Sequence, residues 1–280
     1  MPRRSPTGKR PGAPIGTPGY PAPMACFSPL RACLGRPWAA CLAALVLGGC
    51  GRDEGPSGAE RRAATAAIQA IELVALAAEI AAPAVLGPAS DTTLCPAVSR
   101  VGGFVTLDYG DGCLPDRGWV GGPVSGSTRL EVGTTAAVLA LDGLSAGGGP
   151  LGGGVELVLG GAGGTVLVAS LRPGLDDAPV QVETELFFAV DGADATFTGP
   201  LRVQDVDGAD VTVDADGLVV APLGSAPCFA PAAGTAAATY GINTSTLTFS
   251  DDGTVSLRGS RDERATEDEV CAFSPGIFRP

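Results

Sequence analysis

Carboxylates and thiols are the groups through which this chain could do chemistry, because histidine is absent and lysine occurs once, at Lys9. Without His there is no Ser-His-Asp or Cys-His nucleophile system and no His-ligated metal. Two Asp clusters, Asp205-Val206-Asp207-Gly208 and Asp214-Ala215-Asp216-Gly217, offer the alternating oxygens that Ca²⁺ prefers. No Glu follows at the twelfth position of an EF-hand loop, and Val211, Val213 and Leu218–Val220 flank the second cluster. Both clusters therefore read as hairpin turns first, with Asp205, Asp207, Asp214 and Asp216 as weak metal candidates. Glu183 and Glu185 share a strand face, but thirty acids guarantee such pairs, and exposure explains them. Gly160–Gly164 lacks the Gly-Lys-Ser/Thr of a phosphate loop. Trp119, between apolar neighbours, reads as core and not as a sugar platform. We expect no catalytic residues and no cofactor, and hence no enzyme.

Charge divides the chain. Residues 1–50 hold six basic residues and no acid, whereas the remainder carries a net charge of -18. An acidic body of that kind is a poor partner for nucleic acid. Met1–Pro23 is basic and Pro-rich, and Met24 is the better start. From there Arg31 and Arg36 precede the apolar run Trp38–Leu47, too short to span a bilayer. The run ends in Leu47-Gly48-Gly49-Cys50, which resembles the lipobox of bacterial lipoproteins: Leu, two small residues that fit a peptidase, then the Cys whose thiol accepts diacylglycerol. The resemblance implies a signal peptide over 1–49, a lipidated tether over 50–58, and palmitate-type acyl chains on Cys50 that anchor the protein to a membrane. Gly51 is not an Asp retention signal, which implies the outer membrane.

Export also bears on the other thiols. Cys26, Cys33 and Cys41 leave with the signal. Cys95, Cys113, Cys228 and Cys271 remain, an even number that favours two disulfides. Three pairings are possible. Cys95–Cys113 with Cys228–Cys271 is favoured, since each pair brackets a contiguous β segment.

The elements follow from periodicity. Ser57 with Glu60 forms a capping-box pattern ahead of an Ala-rich helix over 59–83, which Pro83 ends. Thr65, Gln69, Glu72 and Glu79 share one stripe, opposite Ile68, Ile71, Val74, Ala75 and Ala78, so the helix is expected to be amphipathic. Its two interior glutamates argue against a membrane span. After Thr93 the period is two. Val180, Val182, Thr184, Leu186, Phe188 and Val190 alternate with Gln181, Glu183 and Glu185. Asp-Gly recurs at 111, 142, 191, 207, 216 and 252, each a hairpin signal. The expected fold is mainly β: residues 93–280 form an antiparallel sandwich or curled meander of about ten to twelve strands. The charged stretch Arg261–Glu269 reads as an exposed loop.

Cys95-Pro96, then Val105–Cys113 with its Asp108-Tyr109-Gly110-Asp111-Gly112-Cys113 core, then Gly126, resembles an uncharacterised family of bacterial β-rich lipoproteins. A second block, Cys228-Phe229 with Pro231, Gly234-Thr235 and Thr246–Phe249, resembles that family's carboxy-terminal hairpin. The resemblance implies a fold and export, and assigns no activity. The expected function, on the residues themselves, is that of a non-enzymatic, lipid-anchored envelope protein, structural or adhesive. A Ca²⁺-dependent binding module and a carboxylate hydrolase are the alternatives.

Overall fold

The computed structural model describes residues 57–85, 95–159, 165–175, 178–224, 228–259, 262–266 and 269–271. Cys50, the expected signal and the expected tether up to residue 56 lie outside them, as does the Gly160–Gly164 connection. Gly55–Pro280 forms one compact unit by its contacts.

The capping box opens the helix as its spacing predicts. Glu60 N–H donates to Ser57 Oγ at 3.3 Å, and Ser57 N–H donates to Glu60 Oε2 at 2.6 Å. The helix, α1, runs Gly58–Val85 and carries Pro83 in its last turn. The expected stop at Pro83 is therefore overrun, because a proline there removes only one intrahelical bond.

Among the described residues fourteen strands follow: β1 (Ala97–Val101), β2 (Phe104–Cys113), β3 (Val124–Val132), β4 (Ala136–Ala140), β5 (Leu144–Ala146), β6 (Gly149–Leu159), β7 (Thr165–Pro173), β8 (Gln181–Asp191), β9 (Asp194–Gln204), β10 (Asp210–Val220), β11 (Ala233–Tyr240), β12 (Asn243–Phe249), β13 (Thr254–Arg258) and β14 (Asp262–Thr266). All join one antiparallel sheet whose order is the chain order, with β5 set aside to bridge β3 and β6. This is the curled meander, not the sandwich. The count exceeds the expected ten to twelve because β5 has only three residues and β14 lies in the charged run read as a loop. β14 pairs with β13, Ser256 opposite Arg264.

The sheet winds around α1. The helix touches β3, β6, β7 and β9 to β12, and its residues 63–83 are buried except for Thr65. The expected amphipathic helix is thus a correction: Gln69, Glu72 and Glu79, the polar stripe, are buried with the rest. A helix covered all round needs no solvent face. By length and composition it could cross a membrane, yet its walls here are strands.

Inward residues alternate with outward ones. In β8 the buried set is Val182, Thr184, Leu186 and Phe188, while Val190, and Val180 just before the strand, are at least partly exposed. Phe188 stacks on Phe197 at 5.4 Å and meets Trp119 edge-on at 6.1 Å. Curling a sheet this tightly needs kinks. Gly126, Gly153, Gly199 and Gly234 supply them in β3, β6, β9 and β11, each with positive φ and each so close to a neighbouring backbone carbonyl, that of Gly143, Ser170, Glu185 or Gly217, that a side chain would collide with it.

Of the six Asp-Gly pairs, those at 142, 191, 207 and 252 lie at turns. Asp111-Gly112 and Asp216-Gly217 do not; they sit inside β2 and β10, where the register shifts. The same φ > 0 tolerance that makes a turn also makes a bulge.

Both expected disulfides form, Cys95–Cys113 with Cα atoms 6.1 Å apart and Cys228–Cys271 with 5.6 Å. They close loops of 18 and 43 residues. Chain entropy gives about 3 and about 4 kcal/mol respectively. Cys228 and its neighbour Phe229 are buried, as is Val270 beside Cys271, so the second bond also fixes the segment at Val270–Cys271 to the core. Cys228→Ala/Cys271→Ala should lower the urea midpoint more than Cys95→Ala/Cys113→Ala. An equal or reversed order would show that loop length does not govern these bonds.

Candidate functional site

The Asp residues weighed as metal ligands are not brought together. Asp205 and Asp207 sit in the β9–β10 turn, where Asp205 is buried and its Oδ1 accepts from Val206 N–H at 2.8 Å. Asp207 pairs with Arg62 of α1 at 3.0 Å. Asp214 and Asp216 lie on the outer face of β10, exposed. Asp214 is four residues along the strand from Asp210, about 13 Å at strand rise. The second cluster, read as a turn, is strand and bulge because β10 continues through it. Among the described residues no three Asp, Glu or Cys side chains converge on a metal-sized space. Asp108 does bond the backbone, accepting from Gly110 N–H at 2.9 Å. Trp119 is core, its Nε1 donating to Ala193 O at 2.6 Å.

Two polar constellations went unseen in the sequence. The first is inside. Glu79, one heptad beyond Glu72, points from α1 at the β2–β3 connection. Its Oε1 accepts from Gly118 N–H at 2.5 Å and Trp119 N–H at 3.3 Å, and its Oε2 accepts from Val120 N–H at 3.1 Å. That connection then reaches across the fold. Trp119 bonds the β8–β9 turn, and Leu223 N–H, beyond β10, donates to Gly118 O at 2.8 Å. One carboxylate thus fastens the helix to a loop that itself ties three parts of the sheet. Burial pushes the Glu79 carboxyl up to about 7, against the pull of the N–H groups of Gly118, Val120, Trp119 and Arg117. Burial, and then the nearby Glu79 charge, raise the Tyr109 phenol above its usual range. Tyr109 is buried, and among the described residues its Oη has no hydrogen-bond partner. With every carboxylate contact spent on backbone amides, this constellation holds structure; it presents no free base to a substrate.

The second constellation is outside, on β4, β6, β7, β8 and β9. It is an open groove of about 580 Å³ lined by Val138, Glu156, Val168, Glu183, Glu185 and Arg202, among others. Glu183 and Glu185 are exposed there, as their strand alternation predicts. What sequence reading missed is Glu156 beside them: its place is fixed by the β6–β7–β8 register, Glu156 opposite Val168 opposite Glu185. Alternation alone gives the face, but the neighbours across the sheet come only from pairing.

No family model matches the chain, and no curated protein or solved structure is detectably similar to it.

Proposed function

We propose that the chain is an exported, lipid-anchored cell-envelope protein, attached to a membrane, the outer one by the absence of Asp at Gly51, through acyl chains on Cys50. Its β domain acts there as a structural or adhesive body and not as an enzyme. The observation that carries the reading is the filled interior. A curled sheet can hold a ligand in its lumen, but here α1 occupies that space from Ala63 to Ala82, which leaves the outer surface for contacts. Two disulfides suit an oxidising compartment, and the Leu47–Cys50 sequence suits diacylglycerol transfer.

The test is metabolic labelling with palmitate. Wild-type protein should take up label and begin at Cys50, and Cys50→Ser should lose both the label and cleavage after Gly49. An unlabelled wild type, or normal processing of the variant, refutes the anchor. Density fractionation of the labelled protein reads the membrane: recovery with inner-membrane markers refutes the outer-membrane assignment.

A further inference from the structure

The outer groove has a chemistry that selects among partners. Strand pairing lays three adjacent rows of side chains here, the first beside the groove and the other two across it. The first row is apolar: Ala136 opposite Val158, Val158 opposite Val166, Val166 opposite Phe187. The second alternates: Val138, Glu156, Val168, Glu185. The third steps down through Ala140, Gly154 and Ser170 before rising to Glu183 and Arg202. The lack of side chains at Gly154, and the small ones beside it, make the concavity.

Apolar groups here face solvent. Phe187 is 60% exposed, Val138 50% and Val168 36%. Val168 lies two residues along β7 from Val166, which pairs with Phe187, and exposed apolar groups gathered so among charges mark an interaction surface. Three carboxylates and one guanidinium line it, in a body with no lysine and a net charge of -18.

We infer that this groove is a docking surface for a polypeptide segment that presents lysine or arginine alternating with apolar side chains. Apolar side chains of the partner cover Phe187, Val138 and Val168, and its cations meet Glu156, Glu183 and Glu185. An anionic lipid surface is repelled by the same carboxylates. A second copy of this chain would bring its own three glutamates against them. The inference deepens the proposed adhesive role by naming the partner's chemistry. It does not need the anchor: loss of acylation in the labelling test would leave the binding result standing.

The probe is a dye-labelled twelve-residue peptide of alternating Lys and Leu, titrated with the full chain in dodecyl maltoside and read by fluorescence anisotropy, with detergent alone as the blank. Glu156→Gln/Glu185→Gln should weaken binding about tenfold, as loss of facing charges does. Phe187→Ser should weaken it by about the same factor, as loss of an aromatic anchor does. Both alter exposed outer-face residues and should leave the melting curve in place. Asp214→Asn/Asp216→Asn removes equal charge from another part of the outer face and should change affinity less than about twofold. The proposal is overturned if that control weakens binding as much as the groove variants, since attraction would then be to the whole acidic domain. It is equally overturned if a Leu/Glu peptide binds as tightly. A dimer in sedimentation that Phe187→Ser dissolves would assign the face to a second copy and overturn it too.

Discussion

Gly153→Ala is expected to leave little folded protein. Gly153 sits in β6 at φ +102°, where a Cβ would overlap the carbonyl oxygen of Ser170 on β7. Neither neighbour can give way cheaply, because the atom in the way is backbone and it belongs to the ladder that pairs Gly153 with Leu171. Relief requires either moving β6 away from β7, which breaks ladder hydrogen bonds, or changing φ, which straightens the kink around α1. Backbone strain alone costs about 1–3 kcal/mol, and lost ladder bonds about 1 kcal/mol each. The sum, roughly 4 kcal/mol or more, is a large part of a domain's stability of about 5–15 kcal/mol. Gly192 in the β8–β9 turn is the control: its φ is +62° but no atom lies within 4 Å of an added Cβ. Gly192→Ala should cost about 1 kcal/mol. Urea denaturation compares the two. Equal losses would show that φ and not the close approach is what requires glycine at 153.

The Glu79 contact predicts a dependence on pH with a definite sign. Folding raises this carboxyl from 4.5 to about 7, so the folded state binds a proton more tightly than the unfolded one. The resulting stabilisation is complete below about pH 4.5 and is lost as pH rises through 7. The difference amounts to about 3 kcal/mol. Wild type should therefore be more stable at pH 5 than at pH 8, and Glu79→Gln should flatten that part of the curve. The amide keeps one acceptor oxygen for Gly118 and Trp119 N–H but turns an NH₂ toward Val120 N–H, so the variant should remain folded with a modest loss at low pH. Glu79→Ala leaves the buried N–H groups of Trp119 and Val120, and the part-buried one of Gly118, without this acceptor and should cost about 3–5 kcal/mol. Guanidinium melts of the three proteins at pH 5 and pH 8 decide the matter. An unchanged slope in Glu79→Gln would place the titration elsewhere.

Much of this architecture is written locally. Ser57 and Glu60 announce the helix start, the alternation of β8 gives its buried face, and Asp191-Gly192 and Asp252-Gly253 mark two hairpins where the structure has them. The disulfide pairing follows from which segments the cysteines bracket. Other features depend on what lies across the sheet. Asp-Gly at 111 and 216 carries the same backbone permission as Asp-Gly at 191, and only the neighbouring strand decides between bulge and turn. The stripe Gln69–Glu72–Glu79 has the spacing of a solvent face, because a carboxylate that meets water and one that meets amides forty residues away look alike in sequence. Three glutamates from β6 and β8 become one rim only once β7 has been threaded between them.

The position of α1 in the chain has a consequence for how the molecule is made. The helix is finished before a single one of its walls exists, and β11 and β12, the last walls named above, begin 148 and 158 residues after Val85, at Ala233 and Asn243. Until then the growing chain carries a helix that by length and composition could cross a membrane. Its two interior carboxylates, Glu72 and Glu79, oppose that fate, since an acidic side chain at the centre of a bilayer costs about 2.5–3.5 kcal/mol even by the most lenient measure. The residues that complicate the finished core thus guard the unfinished chain. Their replacement by leucine would remove that guard and, at position 79, also the acceptor for Gly118, Trp119 and Val120 N–H.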